Sequence, residues 1–187
     1  MRKIIILFIL VLIPSFVSSQ DKDYTKYPGY VDLSDIEQFK ESESTVEVFI
    51  TKPLLSLVAA ASSDEDPQLY RLLKNLDLIK VDNFSVTEEK TGDLKKIIKK
   101  ISDRLINDKW SRVVRVRETD ERVEIFIKNE GNRVAGLLIM SLEYNNNKEA
   151  TFVNIVGNID MESLGKLSRK FDIPRLDSLT TKDKTNK

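Results

Sequence analysis

The chain of 187 residues contains no cysteine and no histidine. Without cysteine it has no disulfide, no thiolate nucleophile and no attachment point for the lipid of a bacterial lipoprotein. Without histidine it lacks the most common general base and the most common zinc ligand. Carboxylates are the acid–base groups that remain, and we expect no catalytic residue, no metal ligand and no cofactor.

An excess of charge of one sign is also missing, because 30 basic residues balance 30 acidic ones and the formal net charge is +0. This balance provides no long-range attraction to nucleic acid or to an anionic membrane. We therefore expect no nucleic-acid partner.

Long apolar runs are scarce, and the prominent one lies at the start of the chain. Met1-Arg2-Lys3 precedes the apolar stretch Ile4 to Ile13, and small residues follow before Gln20. The stretch is shorter than the ~20 residues that span a bilayer, and the pattern is typical of a secretory signal peptide. It predicts an exported protein, periplasmic or extracellular and not a lipoprotein, with no integral membrane segment after signal removal.

The expected mature chain of 168 residues has the size of one ordinary domain. We divide the sequence into a signal peptide (1–19), an N-terminal arm with a short helix (20–44), a single α+β domain (45–175) and a flexible polar tail (176–187). The arm carries Tyr24, Tyr27 and Tyr30 beside a proline and a glycine. These tyrosines are either a strap packed on the domain or an exposed aromatic surface that binds a partner.

The first half of the domain alternates between strand and helix patterns. β-Branched alternation predicts a strand at 45–51, and Pro53 suits the first turn of a helix that continues to Ala61. Asp66-Pro67 is a typical helix start, a strand follows at 78–86, and regular apolar spacing predicts a helix over 87–107.

The second half is dominated by short strands separated by turns rich in Asn, Asp and Gly. The predicted strands are 111–117, 122–128, 133–144 and 149–157, followed by a helix from Asp160 to Lys170. The fold class is therefore α+β: a mainly antiparallel sheet, with a four-strand C-terminal meander plus N-terminal strands, covered by helices.

A two-residue turn at Thr119-Asp120 fixes the register of the first hairpin in this meander. It pairs Val114 with Ile125 on one face and Arg115 with Glu124 on the other. We expect the apolar face to be buried and the charged face to be more exposed.

Several short motifs resemble chemical sites, and each has a plainer interpretation. Ser163-Leu164-Gly165-Lys166 fits the serine–lysine motif of penicillin-interacting enzymes and Lys90-Thr91-Gly92 fits their third motif, but the order is reversed and the second motif is absent. The acidic run Asp64-Glu65-Asp66 lacks the alternating ligands and glycine of a calcium loop. We interpret these segments as ordinary helix positions and as a helix cap with a solvated loop.

Four lysines and one asparagine are the remaining candidates for binding residues. Lys95, Lys96, Lys99 and Lys100 form a helix face that either contacts solvent or meets anionic lipid or polysaccharide. Asn154 interrupts an apolar strand and is interpreted as a hydrogen-bonded polar residue within the sheet.

The order of several segments resembles a known bacterial family. The segments are Gly29-Tyr30-Val31-Asp32, Val46-Glu47-Val48, Pro53-Leu54-Leu55, Trp110 to Glu118, Gly136-Leu137 and Phe152 to Asp160. This series resembles the exported family called domain of unknown function 4252, from about Gly29 to Ile173. The resemblance implies an exported envelope protein with no assigned activity, cofactor or catalytic residue. Some members are encoded near extracytoplasmic-function sigma factors, which implies an envelope-signalling or stress context.

Two functions from different classes remain open. The first is a non-catalytic binding or sensing protein of the bacterial envelope, whose unknown partner is an envelope protein or a glycan. The alternative is an envelope hydrolase that uses a carboxylate pair. A deep cleft with two converging acidic side chains favours the enzyme, and an exposed apolar or aromatic patch favours the binding protein.

Overall fold

A computed structural model describes residues 22–40, 45–144 and 148–160 of the chain. Within these ranges six strands form one antiparallel sheet in the order β1-β2-β6-β5-β4-β3. The strands are β1 Thr45–Thr51, β2 Leu76–Ser85, β3 Ser111–Arg117, β4 Glu121–Glu130, β5 Arg133–Glu143 and β6 Glu149–Ile159, and the helices are α1 Lys52–Ser62, α2 Pro67–Lys74 and α3 Glu88–Asn107. The predicted α+β class with a mainly antiparallel sheet is confirmed.

The sheet is one continuous layer with its last strand in the middle. β6 pairs with β2 on one side and with β5 on the other, so it joins β1 and β2 to the run formed by β3, β4 and β5. The predicted strands at 45–51 and 111–117 have the observed bounds. The predicted signal peptide, the helix after Asp160 and the C-terminal tail lie outside the described residues.

α3 covers one face of the sheet and forms the first core. Its apolar residues recur at helical spacing, so they project from one side of the helix onto the sheet. Each such side chain contributes about 1.5–3 kcal/mol when it is fully buried. The helix contributes Leu94, Ile98, Ile101 and Leu105, and the sheet contributes Phe84, Phe126, Leu138, Met140, Leu142 and Phe152.

The arm also enters this core. Ser34–Phe39 is a 3-10 helix. With three residues per turn, it places Leu33, Ile36 and Phe39 on one side, and all three are at most 5% exposed. These three buried side chains pack the arm beside α3.

The opposite face of the sheet carries α1 and α2, which form a helical hairpin. Leu55 and Ala59 of α1 pack with Leu72 and Leu73 of α2 in a second core. The strands supply buried residues to the same core, among them Val123, Ile125 and Leu137. Both faces of the sheet therefore bear helices over their apolar residues.

The predicted hairpin register is confirmed, and one prediction about its exposure is wrong. Val114 pairs with Ile125, and Arg115 pairs with Glu124. Ile125 is buried as expected, but Glu124 is also fully buried, at 0% exposure. The reason is that α3 covers this face and places Ser102 against the carboxylate, with an Oγ–Oε2 distance of 2.9 Å.

Candidate functional site

Asn154 connects the arm to the middle of the sheet. Its Oδ1 accepts a hydrogen bond from the backbone N–H of Val31 at 3.0 Å. Its Nδ2 donates to the carbonyl oxygens of Gly29 at 3.0 Å and of Leu137 at 3.1 Å. The interpretation of Asn154 as a hydrogen-bonded residue of the sheet is confirmed, and its main partners are on the arm.

The arm passes so close to β5 that two glycines are required at the contact. A Cβ on Gly29 would collide with the carbonyl oxygen of Ala135. A Cβ on Gly136 would meet the backbone of Gly29 and lie 2.8 Å from Cη2 of Trp110. This contact is the arrangement that the strap interpretation of the arm requires.

Two of the arm tyrosines form a small aromatic group with β1. The ring centroid of Tyr24 lies 5.9 Å from that of Phe49, edge to face, and 5.7 Å from that of Tyr27. Phe49 is 56% exposed, so the group borders on solvent.

Lys40 follows the 3-10 helix of the arm, and its ammonium group contacts three carboxylates. Its Nζ donates to Asp82 at 2.6 Å, to Glu37 at 2.7 Å and to Glu47 at 2.5 Å. Burial alone would lower the pKa of Lys40, but the hydrogen bonds to these carboxylates outweigh it and raise the pKa above its usual range. Lys40 therefore stays protonated.

A shallow groove of about 470 Å³ opens beside this network and is lined by Phe49 and by Lys40 with its three carboxylate partners. The hydrogen bond from Lys40 lowers the pKa of Glu47. A carboxyl that acts as a general acid needs the opposite shift, toward neutral pH. In this groove Lys40 keeps Glu47 ionised.

Glu124 is the centre of a second buried ionic cluster. Arg122 Nη2 donates to Oε1 at 2.7 Å, and the Nε atoms of Arg112 and Arg115 lie 3.4 and 3.7 Å from the carboxylate. Burial by itself raises the pKa of Glu124, but the hydrogen bonds from Arg122 and Ser102 and the charge of Arg112 outweigh it, and the pKa is lowered. The cluster holds an ionised carboxylate inside the sheet–helix interface.

The two buried carboxylates do not converge. Asp82 and Glu124 lie in one row across the sheet, separated by Phe152 of β6 and Met140 of β5. Three strand spacings put them about 14 Å apart. The carboxyl groups of a glycosidase are about 5–9.5 Å apart, so these two are not positioned as such a pair.

The outer side of α1 is apolar where a surface helix normally carries charge. We call this surface the α1 patch. It comprises Leu54 (47% exposed), Leu57 (66%), Val58 (44%) and the exposed Ala61. Spacings of three and four residues place its members on one stripe about 100° wide, separate from the stripe of Leu55 and Ala59 that faces the core.

A family model described as a domain of unknown function (DUF4252) matches residues 39–167. That range is more than half of the chain. The chain belongs to this family. Comparison with curated proteins and with solved structures finds no match. The DUF4252 range contains the Glu124 cluster, the α1 patch and the Lys40 network except for Glu37, whereas Gly29 and Val31 of the arm contact precede it.

The other motifs identified in the sequence of this DUF4252 chain have structural roles, as far as they lie within the described residues. Lys90-Thr91-Gly92 lies in the first turns of α3, as interpreted from the sequence. Ser163-Leu164-Gly165-Lys166 lies outside the described residues. Asp66 caps α2, since its Oδ1 accepts from the backbone N–H groups of Gln68 at 3.2 Å and Leu69 at 3.1 Å. Within the described ranges no group of three or more acidic residues is arranged to hold a metal ion.

The lysines on the exposed face of α3 contact carboxylates and one aromatic ring of the same chain. Lys96, Lys99 and Lys100 lie 2.8, 2.5 and 2.8 Å from the carboxylates of Asp93, Asp103 and Asp35. Lys95 lies 4.3 Å from the ring centroid of Tyr144. These contacts match a solvated helix face. In the part of the chain that the structure describes, no helix is both long and apolar enough to cross a membrane.

Sequence reasoning missed the Lys40 network, the buried state of Glu124 and the α1 patch. A usable signal existed in β2, where Leu78, Lys80, Asp82 and Phe84 alternate onto one face and a lysine and an aspartate lie between two apolar residues. α1 also offered one, because residues 53–63 contain no charged side chain.

Proposed function

We propose that this DUF4252 protein is a non-catalytic binding or sensing module of the bacterial envelope, delivered by the signal peptide at residues 1–19, and that it acts by contact. The observation that carries the proposal is the α1 patch. Three large aliphatic side chains, each 44–66% exposed, stand together on one helix. Exposed contiguous apolar surface of this kind marks interaction sites.

The alternative, a hydrolase with a carboxylate pair, has less support. The groove beside Lys40 contains acidic side chains, but one ammonium group binds all three of them. Asp82 and Glu124, the acidic residues that the structure buries completely, are about 14 Å apart along the sheet row. The sequence also provides no histidine that would serve as a base.

Photo-cross-linking in cells tests the contact proposal. A photoreactive phenylalanine analogue replaces Leu57 in the α1 patch, and a matched control replaces Ile106, which is 47% exposed on α3. We expect cross-linked products of defined mass when the analogue is at position 57. The same products should not form when it is at position 106. Absence of adducts at 57, or the same adducts from both positions, contradicts the proposal.

The hydrolase alternative has its own test on the same protein. Glu37→Gln and Glu47→Gln change exposed carboxylates of the groove and leave the buried Asp82–Lys40 pair in place. Loss of a measured envelope-hydrolase activity in these variants, with the fold unchanged, would favour the enzyme. An identical wall-digestion profile for wild type and variants favours the binding module.

A further inference from the structure

We propose that the α1 patch binds a second copy of this chain, with the two α1 helices antiparallel about a two-fold axis at Leu57. This inference rests on the proposed contact function and names its partner. Leu57 is the middle residue of Lys52–Ser62 and the most exposed member of the patch, at 66%.

The helical hairpin that carries the patch has opposite charges at its two ends. Lys52 Nζ donates to the backbone oxygen of Lys74 at 3.0 Å, so the start of α1 lies beside the end of α2. This end carries Lys52, Arg71 and Lys74, and the carboxylate of Asp77 lies 3.4 Å from Lys52 Nζ, so the end is basic by two charges through Arg71 and Lys74. The acidic end, in the loop between the helices, comprises Asp64, Glu65 and Asp66.

The two ends act as separate charges because α1 is about 16 Å long and the Debye length at physiological salt is about 8 Å. An antiparallel pair brings the basic end of each copy to the acidic end of the other. A parallel pair brings like charges together at both ends. Charge complementarity therefore selects a second copy in the antiparallel orientation, with each contact made twice as two-fold symmetry requires.

The apolar stripe is also complementary to itself in this orientation. Leu57 of one copy meets Leu57 of the other, and Leu54 lies opposite Ala60 and Ala61. Bulky side chains thus face small ones, which lets the helix axes approach to about 8–10 Å.

Sedimentation equilibrium of the purified protein tests the proposal. An interface of one helical hairpin per copy is at the small end of the known range, so we expect a micromolar dissociation constant, measurable from about 1 µM to about 1 mM. Leu57→Glu should weaken the dimer at least about 10-fold, because it brings two like charges together on the axis. Ile106→Glu, the matched control on α3, should leave the dissociation constant unchanged.

A charge-reversal pair tests the orientation. One variant carries Asp64→Lys with Glu65→Lys, and the other carries Arg71→Glu with Lys74→Glu; Asp66 stays because it caps α2. Each variant alone should dimerise at least about 5-fold more weakly than wild type, since like charges now meet at both ends, and an equimolar mixture should recover the affinity. Circular dichroism confirms that each variant is folded.

A monomer throughout the concentration range, or a dimer that Leu57→Glu does not weaken, overturns the proposal. Single charge-reversal variants that dimerise like wild type overturn the antiparallel arrangement. Vesicles of zwitterionic or anionic phospholipid that sediment with wild type but not with Leu57→Glu identify a membrane as the occupant and also overturn it. If position 57 cross-links to a different protein while the purified chain is monomeric, the second-copy proposal fails and the contact function stands; if position 57 gives no adduct, both fail.

Discussion

At the scale of residues, two acidic side chains within the described ranges are fully buried, and each is held by basic partners. Glu124 is surrounded by three arginines and a serine hydroxyl, and Asp82 is bound by Lys40 with Lys80 Nζ at 3.5 Å. Removing one partner of a buried ionic pair leaves a charge without compensation, which costs about 3–5 kcal/mol. Both clusters are therefore sensitive to substitution of the central carboxylate.

Glu124→Gln should lower stability at neutral pH by about 3–5 kcal/mol, and the loss should depend on pH. The pKa of Glu124 is lower in the folded protein, so the unfolded chain binds the proton more tightly. The stabilisation is therefore present above the ordinary carboxyl pKa of about 4.3 and is lost as the pH falls through the lowered folded value.

Urea unfolding at several pH values between about 7 and about 3 measures this effect. The difference between wild type and Glu124→Gln should shrink toward the acid end. Glu130→Gln, at a 42% exposed side chain paired with Arg133, is the control and should have little effect. A difference between wild type and Glu124→Gln that is constant with pH would mean that the carboxylate is not held ionised.

Asn154→Ala should destabilise the protein by about 2–5 kcal/mol, because it leaves the N–H of Val31 and the carbonyl of Gly29 without their side-chain partner in the interior. Asn83→Ala is the comparison, since Asn83 is half-buried and donates one hydrogen bond to Thr151. Its loss should be about 1 kcal/mol. Thermal unfolding and the fluorescence of Trp110, the single tryptophan, report both effects. Equal losses would contradict the role of Asn154 in holding the arm.

At the scale of elements, the hairpin of β3 and β4 sets a clear ranking of substitutions. Ile125→Ala removes a fully buried side chain and should cost about 2–4 kcal/mol through lost burial and a cavity. Arg115→Ala removes a side chain that is 44% exposed and whose Nε is 3.7 Å from Glu124, so it should cost less than about 1 kcal/mol. Denaturant melts with the opposite ranking would indicate a register shifted by one residue.

The sequence predicted these elements well because strand alternation, helix spacing and turn chemistry are local. The pairing of Val114 with Ile125 was predicted from the two-residue turn at Thr119-Asp120 and from the alternation of apolar and charged residues in the two strands. The buried state of Glu124 did not follow, since it depends on α3 and on arginines from two strands. The Lys40 network likewise joins residues of the arm, β1 and β2, and local sequence patterns do not predict contacts between segments so far apart in the chain.

At the scale of the whole molecule, export is the prediction that determines where the protein works. We expect cleavage between Ser19 and Gln20, because small residues precede this bond and a polar chain follows it. N-terminal sequencing of the protein recovered from the cell envelope measures the site. A recovered N-terminus that retains the apolar run Ile4 to Ile13 would mean an anchored protein.

The central position of β6 has a consequence for the order of assembly. A chain that ends before Glu149 contains two half-sheets, β1–β2 and β3–β4–β5, whose facing edges have no strand between them. The half-sheets are joined only when the last strand arrives, and pairing across such sequence distances is slow. Under the proposed export route, this strand order would leave the sheet incomplete, and the chain easier to translocate, until residues 149–159 have been synthesised.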